Sequence, residues 1–587
     1  MAASTYTWPK YRLLLLAAVM VGFGLILTWQ LVRWQVIERD RFVDIVINRP
    51  TGYGETPPRR GRILDRQGHP LAIDTIEYQI TATPEWIRQT ENITRVANHL
   101  APLLDLPAEE VLSQLSSDAP WVLLRHHVSK ETGEAIREWN TFGLHVSPLP
   151  RRGYPEGILA AHLLGFVAEP EPQDGQTFQG FQGFRGFSGV EGYYDWLLAS
   201  PTRLGAGHGE AMDTQASFVA TGAFPFDPAE IKAEGRPDLI LTIERMIQHI
   251  AEQELEAAIG QHQADGGTVI VMDPRNGAIL AMASRPAFDP ERYIEASPPQ
   301  RLANPATTWD YEPGSVFKIV TVAAALDSGM VSLDRIFEDK GVIEVGGQQM
   351  YNSDRLAHGS VTITEAMVLS LNTVMAQIST ELEAKRFYAY IQRFGFGRRT
   401  GVDLAGESEG QLKLPVDATW HESDLGTNAF GQGLAVTPLQ MACAAAAIAN
   451  RGTMMSPYVL AEVASAGQTW PRHPTVARQV MTPKAAEQLT AILIQAAEEG
   501  APKSVVPGYT IAGKSGTAQI PIPGGYDPQA TIASFVGFAP AQDPRFVILV
   551  KVDRPRDTPW GAAVAAPVFR NIAQRLLVMM DIPPDRE

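Results

Sequence analysis

Near the N-terminus of this chain apolar and polar positions do not alternate at all. From Leu13 to Val32 no residue is charged, and about 20 mostly apolar residues rising 1.5 Å each match a hydrocarbon layer of roughly 30 Å. The stretch is predicted to be a single membrane-crossing helix. Lys10 and Arg12 precede it without an acidic neighbour, which favours a cytoplasmic N-terminus over residues 1–12 and export of everything that follows. Trp29 and Trp34 suit an interfacial belt. A cleaved signal peptide is the rival reading, but Thr28-Trp-Gln-Leu-Val-Arg-Trp34 is bulky where cleavage wants small residues. A buried helix of a soluble domain is the remaining alternative.

Beyond the anchor, Asn48 to Pro58 is rich in Pro and Gly and reads as linker. Up to about residue 236, β-like runs (Ile73 to Ala82) mix with amphipathic helical ones (Ile93 to Leu104, Ala108 to Leu115), so an α+β accessory domain is expected over 33–236. The repeat Phe178-Gln-Gly-Phe-Gln-Gly-Phe-Arg-Gly-Phe187 is read as a loop rather than a strand, a helix or an aromatic binding surface. Pro201 to Gly235, polar with much Gly and Pro, marks the boundary to a second domain, 237–587.

That domain opens with two apolar runs, Thr268 to Met272 and Ala278 to Met282, joined by Asp273-Pro-Arg-Asn-Gly277, a hairpin with Asn-Gly turn chemistry. Further strands are predicted at Tyr509 to Ala512, Ala518 to Ile520, Thr531 to Phe538 and Phe546 to Val552. Helical patterns lie between, at Ser315 to Ser328, Ile363 to Glu383 and Thr437 to Asn450, and a last one at Val568 to Met580. Strands early, helices in the middle and strands late imply an α/β (α+β) fold: an antiparallel sheet carrying an inserted helical layer.

Composition narrows the function. With 587 residues the chain exceeds what one core usually serves, and a net charge of -16 argues against a nucleic-acid binder. The lone cysteine, Cys443, sits in an apolar run and reads as a buried side chain. No disulfide framework or zinc cluster can be built from it.

The chemistry lies in Tyr311-Glu-Pro-Gly-Ser-Val-Phe-Lys318. Pro313 and Gly314 break the chain and put Ser315 at the first turn of a helix, where unpaired N–H groups favour developing negative charge. Lys318 lies one turn on, on the same face, within reach of the Ser315 hydroxyl. The helix is apolar nearly all round, so it is buried, and burial disfavours an ammonium; Lys318 becomes a usable base. Alone, Ser-x-x-Lys is weak and Ser315 could be a mere cap. Its company strengthens it: Ser370-Leu-Asn372 and Lys514-Ser-Gly-Thr517 follow in the order that a penicillin-recognising serine enzyme requires. The bland alternatives are polar residues at a helix edge and an exposed strand end. Gly508 to Ser515 also spells Gly-x-x-x-x-Gly-Lys-Ser, a phosphate loop, with Asp553 as a possible magnesium aspartate. That motif must open a helix, whereas a strand is predicted on both sides of Lys514.

With these motifs the sequence resembles class B penicillin-binding proteins over nearly all of its exported part. Arg60-Gly-Arg-Ile-Leu-Asp-Arg-Gln-Gly-His-Pro-Leu-Ala72 looks like the family's entry to an N-terminal pedestal; Arg152-Gly-Tyr-Pro155, Ala161-His162 and Gly165 look like a later pedestal motif. Gly431-Gln-Gly433, Thr437-Pro-Leu-Gln440 and Ala566-Pro-Val-Phe569 are similar to its later stretches. Nothing resembles a glycosyltransferase domain. The likeness implies a serine penicillin-recognising transpeptidase fold behind a transmembrane helix and a pedestal or dimerisation-type domain. It implies that Ser315 is acylated by stem peptides, Lys318 accepts its proton, Ser370 relays a proton to the leaving D-alanine and Asn372 holds the donor amide. Lys514 would supply positive charge; Ser515, Gly516 and Thr517 would line the substrate and oxyanion site, Thr517 and Ser315 through their N–H groups. No metal or organic cofactor is implied. β-Lactams would be inhibitors; a membrane glycan polymerase and divisome proteins would be partners. Leu371 stands where many relatives have serine, Glu244 where Asp is expected, and Ala199-Ser200 where Gly is frequent. A septal role is favoured, with elongation, a catalytically silent scaffold, and a β-lactamase or carboxypeptidase as alternatives.

Overall fold

The computed structural model describes residues 10–33, 60–168, 184–199 and 236–586. The linker at Asn48 to Pro58, most of the Phe-Gly repeat, Ser200, the Pro201 to Gly235 boundary and Trp34 lie outside these residues. The first helix, Lys10–Val32, carries Leu14, Met20, Phe23, Ile26 and Trp29 exposed. Among the described residues it is the one helix long and apolar enough to cross a membrane. Its bare apolar surface separates it from a core helix, whose side chains would be covered by protein.

Elsewhere the described residues form two compact units, one holding 76–149, the other 60–75, 150–168, 184–199 and 236–586. In the first, helices Ile93–Leu104 and Ala108–Leu115 fall where the apolar spacing put them. Val96, Leu100, Leu104, Val111 and Leu115 join Ile80 and Leu124 in its core.

The second unit is built on a five-stranded antiparallel sheet in the order Ala512–Ile522, Gly525–Ala539, Phe546–Asp553, Gly266–Met272, Ile279–Arg285. Both faces are buried, and period-two alternation sorts the side chains between them. Val269 and Val271 join helix Gly561–Met579 on one face; Ile270 and Met272 join the central helices on the other. Pro438–Ala449 is buried at every position, Cys443 included, as its apolar composition requires.

Four expectations need correction. The helix read over Ile363 to Glu383 ends where expected, since Glu383 at φ 60° kinks Asn372–Arg393, but it is broken in the middle: Ile363–Val368 stops ahead of Ser370, which adopts φ 59°. No Gly or Pro announces the break. Tyr509 to Ile511 is a turn rather than strand: Tyr509 donates to the Ile582 carbonyl and the Thr510 N–H to Asp585, which bind it to the C-terminus instead of a neighbouring strand. The last helix starts at Gly561, not Val568, because Gly561 meets the sheet at its backbone; a Cβ there would lie 2.1 Å from the Gly516 oxygen. The end of the Phe-Gly repeat, Arg185–Phe187, is strand, paired with Phe166–Ala168. Gly186 is admitted there because a Cβ would strike the Glu191 carbonyl, while Phe187 stacks on Phe166.

Two small hairpin pairings went unread, Ile336–Asp339 with Gly359–Thr362 and Val342–Val345 with Gln348–Tyr351. Both lie just ahead of the Ser370 segment. At the other end of the unit, Ile63–Leu64 runs parallel to Leu239–Ile240. Beside this seam is a buried ion network: Glu191 accepts from Arg60 Nε at 2.6 Å and Arg152 Nε at 2.7 Å, Arg60 reaches Asp195, and Arg152 reaches Asp74.

Candidate active site

Glycine geometry sets the position of Ser315. Gly314 has φ 57°, its N–H donates to the Gly431 carbonyl at 2.9 Å, and a Cβ on it would touch Ala518 and the Thr517 oxygen at 3.0 and 3.1 Å. Gly431 is equally constrained, since its Cβ would lie 2.2 Å from the Gly314 oxygen. The tight turn Gly314–Phe317 then leads into helix Lys318–Asp327, so Ser315 stands at the amide end of a buried helix. Gly516 closes the arrangement: a Cβ there would lie 2.7 Å from Ser534 Oγ and 3.1 Å from the Val316 N–H. Backbone therefore meets backbone where strand Ala512–Ile522, an edge of the sheet, passes the Ser315 turn. An edge strand leaves main-chain donors and acceptors for an extended peptide. Ser315, Ser515 and Thr517 are half-buried. The Thr517 hydroxyl accepts from the Gly561 N–H at 3.1 Å, which leaves its own proton to donate.

Lys318 is fully buried, and its amine donates to the Ser370 carbonyl at 2.5 Å and to Ser370 Oγ at 3.2 Å. Among the described residues it makes no hydrogen bond to Ser315; the contact that helical spacing suggested is directed to Ser370 instead. Burial, and then the charge of Lys514, push the Lys318 amine well below its ordinary value. A lysine so placed can hold or release a proton near neutral pH. Ser370 presents both oxygens to it by adopting the left-handed backbone, which costs a serine roughly 1–2 kcal/mol. Asn372 donates through Nδ2 to the Tyr351 carbonyl at 2.9 Å. Lys514 is buried within its strand, paired with Val536; it donates to the Ser515 carbonyl, and burial pulls it down to about 8.

The sequence-predicted groups thus meet at one place: the Ser315 turn against Gly516–Ala518, Lys318 on Ser370, Lys514 near enough to act on Lys318, and Asn372 two positions from Ser370. The phosphate-loop reading is excluded, because Lys514 and Ser515 are mid-strand and the strand continues to Ile522. Asp553, its would-be magnesium ligand, pairs with Lys551.

Residue spacing did not single out Glu312 or Tyr351. Glu312 accepts from the Gly433 N–H at 3.0 Å and from the Tyr526 hydroxyl at 3.3 Å, and burial pushes its carboxyl up. The signal for it was a charged residue beside a Pro-Gly break in an apolar setting. Tyr351 gave none, since it acts through its main chain.

The profile described as "Penicillin binding protein transpeptidase domain" matches residues 267–574, and that described as "Penicillin-binding Protein dimerisation domain" matches 55–201. The stage V sporulation protein D of Bacillus subtilis is 34% identical over 538 residues, covering 90% of this chain and 79% of that protein. The peptidoglycan D,D-transpeptidase FtsI of Escherichia coli is 27% identical over 564 residues, with 94% and 89% covered. Among solved structures, penicillin binding protein 3 of Mycobacterium tuberculosis in complex with ampicillin superposes with a TM-score of 0.66 at 26% identity, covering 91% of this chain and 97% of that one.

Proposed function

The chain belongs to the penicillin-binding protein family, with a dimerisation domain ahead of a transpeptidase domain, and from that membership we propose that it cross-links peptidoglycan as a D,D-transpeptidase through a Ser315 acyl-enzyme. The observation that carries the reading is the buried Lys318 amine, pushed well below its ordinary value by burial and bonded to Ser370 beside the Ser315 turn.

In the first step Ser315 Oγ attacks the carbonyl carbon of the penultimate D-alanine, and its proton passes to the neutral Lys318 amine. The C–N bond then breaks; the proton moves from Lys318 through Ser370 to the leaving amine, and D-alanine departs. The backbone N–H groups of Ser315 and Thr517 hold the oxyanion, where donors fixed in advance act most strongly. Asn372 holds the donor amide, Lys514 faces the peptide carboxylate, and Ser515 and Gly516 line the site. In the second step an amine of a neighbouring stem attacks the ester carbonyl and gives a proton to Lys318; the acyl C–O bond to Ser315 then breaks, and Lys318 passes that proton to Oγ to restore the hydroxyl. β-Lactams acylate Ser315 and stop there.

Residues 1–12 remain in the cytoplasm, 13–32 span the cytoplasmic membrane, and the pedestal-type domain 33–236 and the catalytic region 237–587 both lie on its outer side, in line with Lys10 and Arg12 before the span. A septal role, beside a lipid-linked glycan polymerase and divisome proteins, draws support from the FtsI-named relatives. Mass spectrometry after β-lactam treatment tests the chemistry: one adduct is expected on the peptide containing Ser315, and none in Ser315→Ala. An adduct elsewhere, or none on the wild type, overturns it. Depletion in the source cell tests the role: filaments support septation, rounding supports elongation.

A further inference from the structure

Ser370 and Asn372 sit where a helix begins without a cap of its own. Helix Asn372–Arg393 follows Leu371, whose side chain offers no acceptor to the first-turn amides. They find one twenty positions back in the chain: Asn352 Oδ1 accepts from the N–H of Asn372 at 3.0 Å and of Thr373 at 3.2 Å. Asn352 is itself fixed. Its Nδ2 donates to Asp339 Oδ2 at 2.8 Å and to the Leu356 carbonyl at 3.0 Å, so a flipped amide would set its NH2 against two N–H donors.

Behind it, buried Asp339 also accepts from the Thr373 hydroxyl at 2.6 Å, from the Gly341 N–H at 2.9 Å and from the His358 N–H at 3.0 Å. Burial works to raise this carboxyl, but those bonds outweigh it and hold it below its ordinary value, hence ionised. The neighbouring Tyr351 carbonyl takes Asn372 Nδ2. The last residue of strand Gln348–Tyr351 and the one that follows it therefore grip the side chain and the main chain of Asn372.

We propose that Asn352, oriented by Asp339, is a positioning residue that caps helix Asn372–Arg393 in trans and so holds Ser370 and Asn372 in register for acylation of Ser315. The capping half stands on geometry alone; the acylation half rests on the transpeptidase reading. Without the cap the first turn frays, and the left-handed Ser370 loses the brace on its C-terminal side.

The test uses the full chain in detergent, comparing wild type with Asn352→Ala, Thr373→Val and Thr373→Ser. Hydrogen exchange is read at amides 372–375, and acylation by a fluorescent penicillin is followed against pH. In Asn352→Ala those amides exchange about fivefold faster or more, the equilibrium effect of one lost cap; acylation slows at least as much, and the limb set by Lys318 moves along the pH axis. Thr373→Val shows the same effects in weaker form, whereas Thr373→Ser, which keeps the hydroxyl, stays within about twofold of wild type. Wild-type exchange in Asn352→Ala overturns the cap. Faster exchange with an unmoved acylation rate and pH profile overturns the positioning role. Should Asn352→Ala not fold, the Thr373 pair decides by the same readouts. A wild type that penicillin does not label removes the transpeptidase reading, while the exchange result still decides the cap.

Discussion

Replacing Glu191 by Gln should be among the most destabilising single changes outside the catalytic cleft. Its carboxylate is fully buried and accepts from Arg60 at 2.6 Å and from Arg152 at 2.7 Å, and those two side chains are only 3% and 1% exposed. A glutamine of equal volume keeps one carbonyl oxygen for one guanidinium and turns an NH2 group toward the other. Removing one partner from a buried pair costs about 3–5 kcal/mol, chiefly because the remaining charge is left uncompensated. Against a total stability of about 5–15 kcal/mol, that is a large fraction. The exposed pair Arg62–Asp238 is the control; with Arg62 59% exposed, Asp238→Asn should cost less than about 1 kcal/mol. Urea unfolding of the full chain, followed by tryptophan fluorescence, reads both. The pH dependence supplies the sign. Burial alone would raise the Glu191 carboxyl, and Arg152 and Arg60 outweigh it, so its folded value is depressed. The stabilisation is then complete above the unfolded value of about 4.3 and fades as pH falls through the lower folded one. Wild type and Glu191→Gln should differ fully at pH 7 and converge only below about pH 4. A difference under about 1 kcal/mol at pH 7, or one unchanged at pH 3, would refute the argument.

The remaining expectations concern the site. Lys318→Gln should fold and slow acylation by a fluorescent penicillin on the order of 10²–10⁴-fold, the range for a lost general base. Wild-type acylation should rise with pH as the amine sheds its proton, along a limb well under the ordinary lysine value. Lys514→Gln removes a charge that lowers Lys318, so stopped-flow labelling should find that limb displaced to higher pH. Gly516→Ala puts a methyl 2.7 Å from Ser534 Oγ and 3.1 Å from the Val316 N–H; moving the Ser315 turn to admit it should lower the acylation rate on the order of tenfold to a hundredfold, measured by the same labelling.

Much of this was legible because it depended on short-range pattern. Helices Ile93–Leu104 and Ala108–Leu115 and the strands at Gly266–Met272 and Phe546–Asp553 follow from apolar periodicity. Ser315, Lys318, Ser370, Asn372 and Lys514 were found as spaced motifs. What escaped was set by partners distant in sequence. Ser370 breaks a periodic helix because Lys318, 52 positions earlier, bonds its two oxygens. Asn352 and Asp339 drew no notice in the sequence, since the amides they serve become orphans only once that break exists. Arg60 and Glu191, 131 positions apart, show no relation until the fold closes them on each other.

The seam between Ile63–Leu64 and Leu239–Ile240 dictates an order of events during synthesis. Arg62 and Asp238, which fasten it, are 176 positions apart, so the early strand leaves the ribosome long before its mate exists. Pro70–Ala82 is on hand to pair one side of the nascent strand at once, but the side that takes Leu239–Ile240 stays open until its mate is made. An expression fragment begun at residue 237 would lack that strand and leave its neighbour with an unpaired edge, an invitation to aggregate that the intact polypeptide avoids by completing itself.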